Sequence, residues 1–355
     1  MNRQFYILCA ILAVFFLPHR ASGQTTYGEQ EFGLGISPAP FERVGMSGWQ
    51  FLKIPTSARI AAMGGVATAI SHGDASFAFN NPASTTDVED LDVFVGRINW
   101  IADIGYNVGS VVKNLDQWGY VGINATALDY GTMYRTENIE VLDAAGRRTG
   151  NVSINLDEGT FSGGNLSIGL TYGRKVTDRL QIGGNLRYME EQLDDVQGAK
   201  TANWALDIGT VYYTGIKSLR IAMVGRNFGP DTQFSEYDER IQTPPVNVRM
   251  PMSFSLGAAI DLFEDEEDPH FMTLVGEFVH PNDGREKLNF GAEYTYNNMG
   301  ILRAGYRYNY DEEGLTIGAG VRHSTGQLGL RVDYALVDFG RLNYVHLVTL
   351  GISYK

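Results

Sequence analysis

The chain has 355 residues, 44% of them apolar and 19% charged, and 42 are glycine, about 12% against roughly 7% in ordinary domains. Its 4 Trp, 19 Tyr and 18 Phe exclude a disordered chain, and a mean hydropathy of −0.15 excludes a bundle of apolar membrane helices. With 41 Asp and Glu against 28 Lys and Arg, it lacks the basic face that nucleic-acid phosphates need.

In chain order, Arg3 opens a charged n-region, residues 5–17 form an apolar run, and Pro18 breaks it. Ala21, Ser22 and Gly23 are the small residues of a cleavage site, so 1–23 reads as a signal peptide and the mature chain as starting at Gln24. An uncleaved anchor helix would need about 20 apolar residues. Cleavage removes Arg3 and Arg20, taking the net charge from −13 to −15, and removes the one cysteine, Cys9. Disulfides and Cys-ligated metals are thereby excluded, and Cys9 stands too deep in the apolar run to be a lipid anchor.

Residues 24–90 do not alternate in polarity, and we assign them to a plug or hatch segment. Ser57 is placed to cap a short helix through Ala58, Arg59, Ile60, Ala61, Ala62 and Met63, with Ile60, Met63 and Ala67 on one stripe and Gly64 and Gly65 weakening it. Asn80, Asn81 and Pro82 carry turn chemistry. Arg59 is an anchor candidate, paired to an acidic wall residue such as Glu293 or Asp333, with a solvated helix charge as the alternative. Asn80, Asn81 and Pro82 are read either as a hatch or as a plain turn.

From Leu91 onward the period is two. Leu302, Ala304, Tyr306, Tyr308 and Tyr310 oppose Arg303, Gly305, Arg307 and Asn309, and the same alternation recurs in segment after segment. Strands are predicted near 91–100, 103–112, 118–128, 163–173, 180–191, 202–213, 218–228, 251–262, 270–280, 287–297, 300–310, 314–323, 326–337 and 344–354. Their even number and their length, close to the 9–11 residues of a tilted spanning strand, predict an all-β fold: a 14-stranded antiparallel transmembrane β-barrel over 91–355, with a short N-terminal helical plug. Aromatics that end the apolar face, Tyr188, Tyr212, Tyr308, Tyr310 and Tyr354, suit interfacial girdles.

The polar face is then the lumen. It carries Arg187, Arg220, Arg226, Arg303, Arg307, Arg322 and Arg331 beside Asp207, Glu293 and Asp333, which must pair across strands, meet water or contact the plug. Gly291, Gly305, Gly318, Gly320 and Gly329 share this face and leave room for large neighbours or a close backbone. With the C-terminus in the periplasm, the long connections 129–162 and 229–250 follow odd strands and face outward, and the turns after even strands are compact. The expected location is the outer membrane of a Gram-negative cell, surrounded by lipid, with both termini periplasmic.

Enzyme and metal signals are weak. No histidine pair has the four-residue helical spacing of a zinc hydrolase. His323-Ser324 falls at a predicted turn with no carboxylate partner, which favours a turn over a hydrolase. The acidic stretch 264–268 lacks the glycine-punctuated spacing of a calcium loop and reads as a solvated turn. Gly33-Leu34-Gly35 lacks the strand and helix of a nucleotide motif, and the Asn-x-Ser/Thr matches at Asn124, Asn151 and Asn165 read as chance. We expect no enzyme activity, no cofactor and no metal.

The run 51–83, FLKIPTSARIAAMGGVATAISHGDASFAFNNPA, resembles the N-terminal signature of the PorV/PorQ family of FadL-like fourteen-stranded outer-membrane barrels, at Ala58-Arg59, Met63-Gly64-Gly65 and Asn81-Pro82-Ala83. Within 204–234, LDIGTVYYTGIKSLRIAMVGRNFGPDTQF resembles that family's central double strand and loop. The resemblance implies a part in type IX protein secretion, with cargo, a translocon or surface attachment proteins as partners. FadL-like relatives imply the alternative, a channel for hydrophobic small molecules with lipid or an apolar ligand in the lumen. The final Lys355 departs from the aromatic end usual for barrels, with Tyr354 one place early.

Overall fold

The computed structural model describes residues 45, 47–70, 72–142, 146–155, 159–194, 199–233, 247–263 and 268–355. The signal peptide 1–23, Cys9, Gln24, Gly33-Leu34-Gly35 and the acidic residues 264–267 lie outside them, as do parts of both long connections.

The alternating segments form strands because their side chains sort to two faces, one greasy and one polar. On one side of the barrel run β1 (Leu91–Asn99), β2 (Gly105–Asn114), β3 (Tyr120–Tyr134), β6 (Thr160–Lys175), β7 (Leu180–Asp194), β8 (Ala199–Tyr213) and β9 (Arg220–Phe228). The wall continues through β10 (Ser253–Leu262), β11 (His270–Pro281), β12 (Lys287–Tyr296), β13 (Gly300–Tyr308), β14 (Leu315–Thr325), β15 (Leu328–Asp338) and β16 (Tyr344–Tyr354). Each strand pairs antiparallel with its neighbour, and β1 pairs with β16 from Leu91↔Tyr354 to Asn99↔His346, closing a barrel of fourteen strands. No helix of the described residues is long and apolar enough to cross a membrane.

The barrel is inverted in polarity. On β6, Leu166, Ile168, Leu170 and Tyr172 point outward and are 40–60% exposed, whereas Asn165, Ser167 and Thr171 point inward and are at most 4% exposed. The same parity puts Arg187, Asp207, Arg220, Glu293, Arg303 and Arg307 in the interior. A water-soluble sandwich of this alternation would do the reverse. Asn124 and Asn165 are buried in the lumen.

Three expectations need correction. The connection 129–162 is not a plain loop: β3 and β6 extend well beyond the predicted ends, and β4 (Glu137–Leu142) pairs with β5 (Arg148–Asn155) as a separate two-stranded sheet. A bulge between Asp129 and Thr132, with Gly131 at φ 75°, absorbs a register shift that hides the continuation from a strict two-residue count. The predicted helix through Met63 is only α1 (Ala58–Ala62), because Gly64 and Gly65 adopt φ 73° and 82° and end it. Ser57 precedes α1 without a side-chain cap bond. Lastly, Tyr310 is no girdle aromatic: β13 ends at Tyr308, Asn309 turns through φ 65°, and Tyr310 swings inward. Tyr212, Tyr308 and Tyr354 do face outward, 44–56% exposed.

Connections after odd-numbered barrel strands gather at one end, and Lys355 lies at the other. Near the first described residues, Gly48 N–H donates to Arg249 O in the β9–β10 connection, so Gly48 and Lys355 occupy opposite ends of the barrel.

Candidate functional site

Residues 49–70 and 72–88 lie inside the barrel, and almost all are buried. The sequence supplies two arcs. The first starts at the long-connection end with a 3-10 turn at Gln50–Lys53, continues through α1 against β13 to β16, and reaches Thr68 and Ala69 beside β9 to β11. The second comprises 3-10 helices Ala75–Phe79, packed on β1 to β3, and Pro82–Asp87, packed on β6 to β8. Local capping shapes the second arc: the Asp74 side chain accepts from Ser76 N–H and Asn81 from Ala83 N–H. Together the arcs pack against strands around the whole circumference of the wall.

The arcs are also stitched to each other. Asn81 Nδ2 donates to Thr68 O at 2.7 Å, Asn80 Nδ2 to Thr56 Oγ1 at 3.3 Å, and Arg59 Nη1 to His72 O at 2.8 Å. Thus Asn80 and Asn81 tie the second arc back to the first, and Arg59 reaches the chain that joins them. Met63, Gly64 and Gly65 sit apart, against β12 and β13.

Wall and segment approach closely because the wall gives up its Cβ atoms. Gly305 faces the Gly64 backbone and Gly183 the Pro82–Ala83 peptide, in both cases with no space for a side-chain carbon. Gly291 and Gly318 likewise face Met63 and Ala62, whereas Gly320 and Gly329 make room for Asp333 and Ser353 side chains.

Arg59, 3% exposed, donates through Nε and Nη2 to Glu293 at 2.9 and 2.8 Å. Glu293 also accepts from Arg303 at 2.6 Å, and Arg303 in turn reaches Asp333 at 2.6 Å. This chain of alternating sign replaces the water that each buried charge has lost. Elsewhere Arg187 pairs with Asp207 at 2.8 Å, Arg220 with Asp261 at 2.6 Å, Arg331 with Asp92 at 2.8 Å, and Arg307 with Glu313. Arg322 stands apart from these pairs, lining a cavity with His72.

Several partners escape the sequence-derived network. Glu277 accepts from Ala67 and Thr68 N–H, both at 2.9 Å, and Asp92 from Ala75 N–H at 2.9 Å. Both residues sit on the inward parity of their strands, a signal sufficient to find them. Asp283, in the β11–β12 connection, accepts from Ser47, Lys53 and Gln50, and no periodicity marks it. Burial alone would raise its carboxyl pKa, but the Lys53, Ser47 and Gln50 donors outweigh burial and hold it below the usual carboxylate range.

Two cavities flank the arcs. At the long-connection end, one of about 220 Å³ lies between the first arc and β9 to β13, bounded by Tyr310, whose phenol burial pushes up to about 12. At the C-terminal end, one of about 160 Å³ is lined by His72, Asp74, Arg322, Arg331 and Ser324. His323 and Ser324, expected at a turn, lie in the last residues of β14, where His323 bonds Thr325 Oγ1 at 3.0 Å.

Residues 41–210 match the model of the Uncharacterised protein family (UPF0164). No curated protein matches the chain. Among solved structures it is similar to the CymD monoaromatic hydrocarbon channel, at 15% identity and a TM-score of 0.52, covering 84% of this chain and 96% of that one. It is also similar to the Ralstonia pickettii toluene transporter TbuX, at 15% identity and a TM-score of 0.50, covering 84% of this chain and 97% of that one. At this identity the likeness is one of fold.

Proposed function

We propose that this protein is a non-enzymatic, FadL-like outer-membrane channel for hydrophobic small molecules, closed at rest by its own N-terminal segment. One observation carries the reading: a closed fourteen-strand barrel, of the fold that two hydrocarbon channels share, holds a segment of its own chain between two cavities. In this reading the outward apolar face meets lipid, the long connections face the medium and the C-terminus faces the periplasm. The barrier denies ions and water a straight path. Arg59 latches the first arc to the wall, and Asn80, Asn81 and Pro82 form the hatch that must shift for a solute to leave the outer cavity.

The resemblance of residues 51–83 to PorV/PorQ proteins implies a different role, in type IX secretion with cargo or attachment partners. That role has the resemblance alone for support; the similar solved structures supply none. Deleting the gene separates the two. The channel reading expects entry of toluene-like compounds to fall while surface proteins are delivered as before. Loss of surface proteins with unchanged entry of apolar compounds would reverse the assignment.

A further inference from the structure

The outer cavity has two unlike sides. Leu52, Ile54, Pro55 and Ile60 of the plug segment give it an apolar face. Across from them, Arg226, Ser253, Ser255, Glu277, Asn289 and Arg307 form a polar arc on consecutive strands β9 to β13. Members of the arc pair across the sheet: Arg226 with Ser253, Glu277 with Asn289, and Asn289 with Arg307.

Part of that arc is unsatisfied. Asn289 and Arg307 are 3% and 5% exposed, yet Asn289 Oδ1 and Arg307 Nε have no hydrogen-bond partner. Arg226 Nε has none either, and its guanidinium makes one long bond, from Nη2 to Leu52 O at 3.4 Å. At the rim, Asp283 Oδ1 is likewise unpartnered. Leaving buried groups of this kind unpaired is costly, so they mark a place prepared for a partner. The orphans are of both kinds, two cationic donors and two oxygen acceptors, one of them anionic.

Resting on the channel reading above, we infer that the outer cavity is a selection site for a zwitterionic amphiphile. Its anionic group would take the Arg226 and Arg307 donors, its cationic group would lie toward Asn289 and Asp283, and its apolar body would pack on Leu52, Ile54 and Ile60. A hydrocarbon leaves all four orphans unpaired. A simple carboxylate satisfies the guanidinium donors and sets its charge against the Asn289 and Asp283 oxygens. A head bearing both charges answers both sets, and desolvating it costs least where both find partners.

The test uses the purified full-length protein in a maltoside detergent and three probes: lysophosphatidylethanolamine with a dodecanoyl chain (its ammonium N–H groups can donate to the orphan oxygens), dodecanoate and toluene. The phosphoethanolamine probe is expected to bind at least about tenfold more tightly than either other probe. Asn289→Ala and Arg226→Gln are each expected to weaken it about tenfold, the loss of one buried polar contact, while the barrel keeps its heat-modifiable mobility on gels. A smaller preference, or phosphoethanolamine binding indifferent to both substitutions in folded barrels, overturns the inference. Should the variants fail to fold, the ranking of the three probes on the unmodified protein decides alone. Toluene entry that depends on the gene, together with no phosphoethanolamine preference, sinks this inference and leaves the channel reading standing. The preference without gene-dependent entry does the opposite.

Discussion

Glu293 shows how much of the interior depends on single charges. It is 3% exposed and is held by Arg59 from the plug segment and by Arg303 from the neighbouring strand. Removing one partner leaves a buried carboxylate half-compensated, a change whose cost approaches about 3 kcal/mol. Arg59→Ala is therefore expected to lower the stability of the barrel in liposomes by about that amount, read as the shift in its urea unfolding midpoint. A change within 0.5 kcal/mol would show that the ion pair is incidental. Asp283 gives a pH signature instead. Its carboxyl is held below the usual range, so on acidification the unfolded chain takes up protons first. The contact is complete above that range and fades as pH falls through the lowered value. Amide exchange at residues 47–54, corrected for intrinsic rates, should stay slow from neutral pH down to about 4 and quicken below it. Asp283→Asn should make it fast throughout. Because Lys53 is 41% exposed, the effect is local and modest. Of these contacts, the Arg59–Glu293 pair was legible as one of two acidic choices, since strand parity puts both Glu293 and Asp333 inside. Asp283 was not, because a residue in a connection carries no period that tells where it points.

At the level of elements, the fit between segment and wall rests on glycine more than on helix. The five-residue α1 is too short to be stable alone and persists because β13 to β16 cover it. Gly305→Val puts a branched side chain where the Gly64 backbone runs, while Gly300, the first residue of β13, faces open space. We expect Gly305→Val to displace the first arc, at an overpacking cost of about 1–3 kcal/mol, and to turn an essentially non-conducting barrel into an ion-conducting one in planar bilayers. Gly300→Ala should conduct no more than the unmodified protein. The fourteen barrel strands were readable because alternation is a local property that a lipid-facing wall enforces at every turn. The β4–β5 sheet escaped because the bulge near Gly131 breaks the count, and the extent of α1 because two adjacent left-handed glycines stop a helix where a stripe of apolar residues suggests that it continues.

For the whole molecule, the governing feature is the inversion of polarity: apolar side chains outside, paired charges and the chain's own N-terminal segment inside. Each half explains the other. Charges such as Arg187, Asp207 and Arg303 tolerate burial because the interior supplies partners, and the exterior tolerates its apolar belt only in contact with lipid. Photolabelling in liposomes with a lipid-dissolved carbene probe examines this directly. On β6 the probe should mark Leu166, Ile168 and Leu170 and spare Asn165, Ser167 and Thr171, a two-residue rhythm repeated around the barrel. Equal labelling of both sets, or a protein that stays out of the liposomes and in solution, would contradict the account.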